Sequence, residues 1–135
     1  MAKSIIQANR ECWMCRRLYN LRTTKGLEVH HVICGRGRRA LSEQYGLTVY
    51  LCPLHHRTGN YAVHKNLPAR MCLQRRAQRA FEARYGHEAW MQHFGADYLS
   101  DYRRAQREFE EHYGHEAWMQ QYGVDYLHGG DDCVI

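Results

Sequence analysis

The sequence predicts an α+β fold of two unlike parts: a small β-rich front half and a tail made from one helical hairpin used twice. Two β-branched runs, Glu28–Ile33 and Thr48–Leu51, predict the strands. Two Cys/His pairs at the spacing of metal ligands flank those strands and predict a staple. A segment covering residues 77–99 recurs over residues 105–127, with 17 of 23 positions identical, and predicts the tail. At 135 residues, the chain is one domain, or one small domain with an appendage.

Hydrophobic residues make up 44% of the chain and charged residues 24%, which excludes a largely disordered polymer. No apolar run approaches the roughly 18 residues of a membrane span. No signal-peptide stretch follows Met1, and Cys133 stands one position too late for a prenylation box. A soluble, cytoplasmic protein that does not engage a membrane is therefore expected. The net charge of +5 hides a division. Residues 1–76 hold 14 Lys+Arg against three acids (Glu11, Glu28 and Glu43), while residues 77–135 hold 5 against 11. A front half this basic, and dominated by arginine, is the electrostatic footprint of a phosphate-backbone binder.

The elements follow in order. Cys12-x-x-Cys15 sets two thiolates on one tight turn. Gly26 and Gly35 bound the first strand, and Gly35–Arg39 reads as a basic loop. After the second strand, Pro53 suits the first turn of a short helix. Pro68 suits the start of a longer one, with Leu73, Ala77, Phe81 and Tyr85 on a single stripe and Gly86 as its stop. His87–Phe94 forms a second helix, ended by Gly95. Tyr102, Ala105, Phe109, Tyr113 and Gly114 repeat the scheme. The expected plan is a core over residues 1–67, hairpin copies over 68–99 and 100–127, and an acidic tail over 128–135. Tyr85, Trp90, Met91 and Phe94 would cover one flank of the core. Tyr113, Trp118, Met119 and Tyr122 offer the same surface again. It must be buried on the first copy or on another subunit, and a homodimer is favoured.

Without a secretion signal, closely spaced cysteines read as metal ligands rather than disulfides. Cys12, Cys15, Cys52 and His55 supply the two chelating turns of a closed tetrahedral zinc site. Cys34 and Cys72 lack partners at metal-ligand spacing and read as core thiols, with Cys133 as an exposed one. His30 and His31 are strand neighbours and point to opposite faces, so one can bind metal while the other handles a proton. His56, Asn60 and His64 recur every four residues, although Gly59 interrupts any continuous helix between them.

Cys-x-x-Cys, then Glu28-Val29-His30-His31-Val32-Ile33, then Leu51-Cys52-x-x-His55-His56 resembles the HNH endonucleases, whose core is the ββα-metal fold. The runs Arg38–Cys52 and Ala62–Asn66 extend the likeness to small HNH proteins of phages and prophages. The resemblance covers about residues 1–99, and the second hairpin lies beyond the usual family length. It implies hydrolysis of DNA phosphodiesters with one divalent ion, Mg²⁺ or Mn²⁺. It assigns the general base to His31 and metal ligation to His30, His56 and Asn60, with His64 a rival to Asn60. The family's middle Asn is missing between His31 and Cys52. A backbone carbonyl near Gly46 or Leu47, or the side chain of Ser42 or Gln44, is expected to orient His31 instead.

The chemistry is consistent with this assignment. Phosphodiester hydrolysis needs charge neutralisation at the phosphate, which a hard cation supplies. An imidazole accepts the proton of the attacking water near neutral pH. Imidazole nitrogens also suit Ni²⁺ or Co²⁺. Arg36, Arg38, Arg39 and Arg57 are expected to hold backbone phosphates. The competing readings are a non-catalytic zinc-dependent DNA-binding module and an RNA-binding protein.

Overall fold

Residues 1–123 and 125–127 are described by the computed structural model. The first helix, α1 (Trp13–Tyr19), begins at Cys12, whose Sγ accepts a hydrogen bond from the Cys15 backbone N–H at 3.4 Å. It stops at Asn20, which is left-handed at φ 54°, a conformation asparagine tolerates better than most residues. Strands β1 (Glu28–His31) and β2 (Thr48–Leu51) form an antiparallel pair, with His30 opposite Val49 and His31 opposite Thr48. β1 ends two residues earlier than expected. Val32 and Ile33 leave the ladder but stay fully buried, with the Val32 N–H donating to the Leu47 carbonyl at 3.0 Å.

The expected basic loop is shorter than its sequence suggests. A helix, α2 (Arg38–Tyr45), starts immediately after Gly37, so Arg38 and Arg39 lie in its first turn. Leu41 and Tyr45, four residues apart, pack on the core, and Ser42 is buried with its hydroxyl donating to the Ile33 carbonyl. After β2 the chain makes a single π-helical turn, Leu54–Thr58, which Gly59 closes by donating to the Leu54 carbonyl at 2.8 Å. A Cβ on Gly59 would sit 2.6 Å from that carbonyl oxygen, so glycine is required there. This stop turns residues 60–66 back across the π-helical turn, where the Val63 N–H donates to the His55 carbonyl.

Helix α3 (Leu67–Tyr85) is capped by Asn66, whose Oδ1 accepts from the Ala69 N–H at 3.0 Å, with Pro68 in the first turn. α4 (His87–Phe94) closes the first hairpin, and α5 (Tyr98–Tyr113) with α6 (His115–Tyr122) forms the second. Of the expected stripe, Leu73, Ala77 and Phe81 are fully buried, whereas Tyr85 is half exposed. One hydrophobic cluster runs from Cys12 and Ile33 through Leu47 and Leu51 to Phe81, Trp90 and Phe94. It therefore joins the front half to the first hairpin. Arg38 reinforces that joint by donating to the Phe94 carbonyl at 2.8 Å.

The high identity of the two copies has a polar explanation. Fully buried Gln78 accepts from the Tyr98 N–H at 2.8 Å and donates to Asp97 at 2.9 Å. Gln106 does the same with the Tyr126 N–H at 2.7 Å and Asp125 at 2.9 Å. His87 is bonded to Glu82, and His115 to Glu110, which raises both imidazoles above their ordinary pKa. Such a clasp tolerates fewer substitutions than an apolar contact, because Gln78 or Gln106 left without its partners would be a buried unpaired group.

The second copy packs on the first within the chain. Trp118 is buried with Met71 and Tyr126, and the Arg75 guanidinium lies 4.4 Å from the centre of the Tyr126 ring. Tyr113, expected in that contact, is 70% exposed. We expect Trp118→Ala to destabilise the second hairpin by about 3–5 kcal/mol. Hydrogen exchange should then quicken in α5 and α6 while β1 and β2 keep their protection.

Cys34 is exposed rather than part of the core, since it follows β1 on the turn toward α2. Cys72 is fully buried as expected, but it is disulfide-bonded rather than a free thiol. Cys133 and the acidic tail lie outside the described residues. No helix among the described residues is long and apolar enough to cross a membrane.

Candidate metal centres

α1 and the start of the π-helical turn bring Cys12, Cys15, Cys52 and His55 together, all four of them buried. Cys12 and Cys15 Sγ lie 3.7 and 3.8 Å from Cys52 Sγ. His55 Nδ1 lies 3.7, 3.3 and 3.3 Å from the sulfurs of Cys12, Cys15 and Cys52. Ligands about 2.3 Å (S) and 2.0–2.1 Å (N) from a central ion would be separated by about 3.8 Å (S–S) and 3.5 Å (S–N) in a tetrahedron. These separations fit that figure and are far too long for disulfides. Burial pushes the Cys12 thiol well above its ordinary pKa and His55 below its own. The neutral imidazole is ready to ligate, and a bound cation would reverse the thiol shift, because a coordinating thiol is deprotonated. The cluster can hold a metal ion such as zinc.

A second group forms where β1 meets the π-helical turn. His30, His56 and His64 bring their ligand atoms within 4.8 Å of one another. His56 Nε2 and His64 Nε2 face each other at 3.0 Å, and both rings meet His30 edge-on at 5.2 Å between centroids. His30 is 2% exposed, and its Nε2 is buried with no hydrogen-bond partner among the described residues. Burial, followed by the charges of His56, His64 and His31, pushes its pKa down to about 3, so its ring is neutral at pH 7. Burial also lowers His64. A neutral, buried imidazole with an unpaired nitrogen, grouped with two others, suits a metal ion better than a hydrogen-bonded core.

Asn60 is not among the residues that line the cleft beside these histidines. It is exposed beyond Gly59, and its carbonyl accepts from the Asn66 side chain at 3.3 Å. His64 returns to His56 because the chain doubles back after Gly59, not because a helix continues.

His31 follows His30 in β1, and its Nε2 lies 3.0 Å from Glu43 Oε1 on α2. The imidazole bond holds the Glu43 carboxyl below its usual pKa range. None of the groups expected to orient His31 does so through this nitrogen. Ser42 bonds the Ile33 carbonyl instead, and the Leu47 carbonyl accepts from Val32. On the other side, Glu28 Oε1 accepts from His56 Nδ1 at 2.8 Å, with the Arg57 guanidinium 3.6 Å away. Neither carboxylate was expected in the site. Glu28 stands two residues before His30 and so shares its strand face, whereas Glu43 lies on a helix the sequence reading missed.

The three histidines and His31 line one open cleft of about 310 Å³, together with Val29, Cys34, Gly35, Arg39 and Arg57. Arg39 and Arg57 thus stand at its rim, with side chains 76% and 67% exposed. Arg36 is exposed but outside the lining, and Arg38 is committed to the Phe94 carbonyl. No protein-family model, curated protein or solved structure matches the chain.

Proposed function

We propose that this protein is a metal-dependent DNA endonuclease of the HNH type. The observation that carries the reading is the buried His30, its Nε2 unpartnered among the described residues, grouped with His56 and His64 in a cleft rimmed by arginines. A zinc staple built from Cys12, Cys15, Cys52 and His55 would need none of these three histidines. A purely DNA-binding module would not need them either.

In this reading His30, His56 and His64 hold one divalent ion. When bound, the ion supplies positive charge at the scissile phosphate and the leaving oxygen. His31 takes the proton of the attacking water, and Glu43 fixes its ring where the family uses an asparagine. Arg39 and Arg57 hold the backbone on either side of the cleaved bond. The trio offers three nitrogens and no carboxylate, so Mn²⁺, Co²⁺ or Ni²⁺ suits it better than Mg²⁺. The discriminating experiment is nicking of supercoiled plasmid by the zinc-loaded protein with Mn²⁺ or Mg²⁺, against chelator. DNA binding without cleavage under every metal would leave the binding module as the answer.

Binding itself should be strongly salt-dependent, because arginines displace counterions from the duplex. On a plot of log affinity against log salt, Arg39→Ala and Arg57→Ala should each reduce the slope by roughly 0.9. Arg38→Ala should leave the slope unchanged and lower thermal stability instead. Fluorescence anisotropy on a labelled duplex at several salt concentrations reads all three. A salt-independent affinity would contradict the backbone-binding surface.

A further inference from the structure

The geometry points to Glu28 as the residue that positions His56 for metal binding, an inference that rests on the three-histidine reading above. The argument begins with strand periodicity. Glu28 and His30 are two apart in β1 and therefore face the same side of the sheet, the side against which the π-helical turn packs. One strand face thus provides both the buried ligand and a carboxylate for the ligand opposite. Glu28 Oε1 accepts from His56 Nδ1 at 2.8 Å, so in the neutral ring the proton resides on Nδ1. The lone pair is then on Nε2, the nitrogen that faces His64 at 3.0 Å. A carboxylate bonded to the outer nitrogen of a histidine fixes its tautomer and ring orientation and makes the inner nitrogen more basic. Among the described residues, Glu28 is the partner of Nδ1, while Nε2 meets His64. His56 lies on a π-helical turn of five residues, too short to fix a side chain by helical packing alone. Arg57 shares the carboxylate at 3.6 Å, while its own head stays exposed at the cleft rim.

The test is Co²⁺ binding to the zinc-loaded full-length protein by titration calorimetry, with zinc content and circular dichroism followed on every sample. The wild type should take one Co²⁺ beyond its zinc, and His56→Ala should lose it. Glu28→Ala should bind Co²⁺ about 10–100-fold more weakly with zinc and fold intact. Glu28→Gln keeps an oxygen acceptor without the charge and should fall between Glu28→Ala and the wild type. If Glu28→Ala binds Co²⁺ as tightly as the wild type while His56→Ala does not bind it, the role of Glu28 is overturned and the metal site stands. If the wild type itself takes no second ion, the three-histidine reading fails and the role of Glu28 with it. Should Glu28→Ala not fold, Glu28→Gln decides alone: wild-type Co²⁺ affinity in that variant overturns the assignment.

Discussion

Cys15→Ser should unfold the chain well beyond the site it alters. Cys12 and Cys15 enter from α1, and Cys52 and His55 from the far end of β2, so the cluster ties together segments 40 residues apart. Losing one sulfur leaves three buried ligands without a full coordination shell. A structural zinc contributes about 10 kcal/mol or more to folding, comparable to the whole stability of an ordinary domain. The loss should not stay local. The cluster residues belong to the same hydrophobic core as Phe81, Trp90 and Phe94, so the first hairpin should melt with the front half. The wild type should carry one zinc per chain by elemental analysis, and a strong chelator should reproduce the effect of the substitution in a circular dichroism melt. A zinc-free wild type that remains fully folded would refute the staple.

His31→Ala should show the opposite profile, with folding spared and cleavage lost. The backbone of His31 is held by its pairing with Thr48 in the sheet, which alanine preserves. Its side chain touches Glu43 and is no part of either metal group. Zinc content, Co²⁺ binding and DNA affinity should therefore match the wild type. Plasmid nicking should fall by about 10²–10⁴-fold, the usual contribution of a positioned general base. Glu43→Ala should lower it less, because the imidazole remains and only its orientation is loosened. A His31→Ala protein that nicks at the wild-type rate would remove His31 from the mechanism.

The ligand sets show how far linear spacing reaches. Cys12, Cys15, Cys52 and His55 were legible because each chelating pair sits within one turn, where sequence distance equals spatial distance. Both strands and the duplicated hairpin were legible for the same local reason. The trio was only half legible. His30 and His56 carry family-like spacing, but the choice between Asn60 and His64 depends on the close approach of Gly59 to the Leu54 carbonyl, a contact between backbones. Helix α2 was missed because its first turn holds Arg38 and Arg39, no acid and no side-chain cap, all contrary to the usual start signals. With α2 went Glu43, since nothing in the sequence places a residue of an unrecognised helix against His31. The exposure of Cys34 was hidden likewise, because it depends on β1 ending at His31.

That same helix gives the tail a mechanical meaning. α2 is an eight-residue rod, with Arg38 fastened to the C-terminal end of α4 and Glu43 fastened to His31. Rods of this length rotate as rigid bodies, since their backbone bonds are closed within about two turns. The first hairpin thus grips this helix at both ends, through Arg38 on the Phe94 carbonyl and through the Tyr45 hydroxyl 3.1 Å from His93 Nε2. The seating of α4 is thereby part of what holds Glu43 against His31.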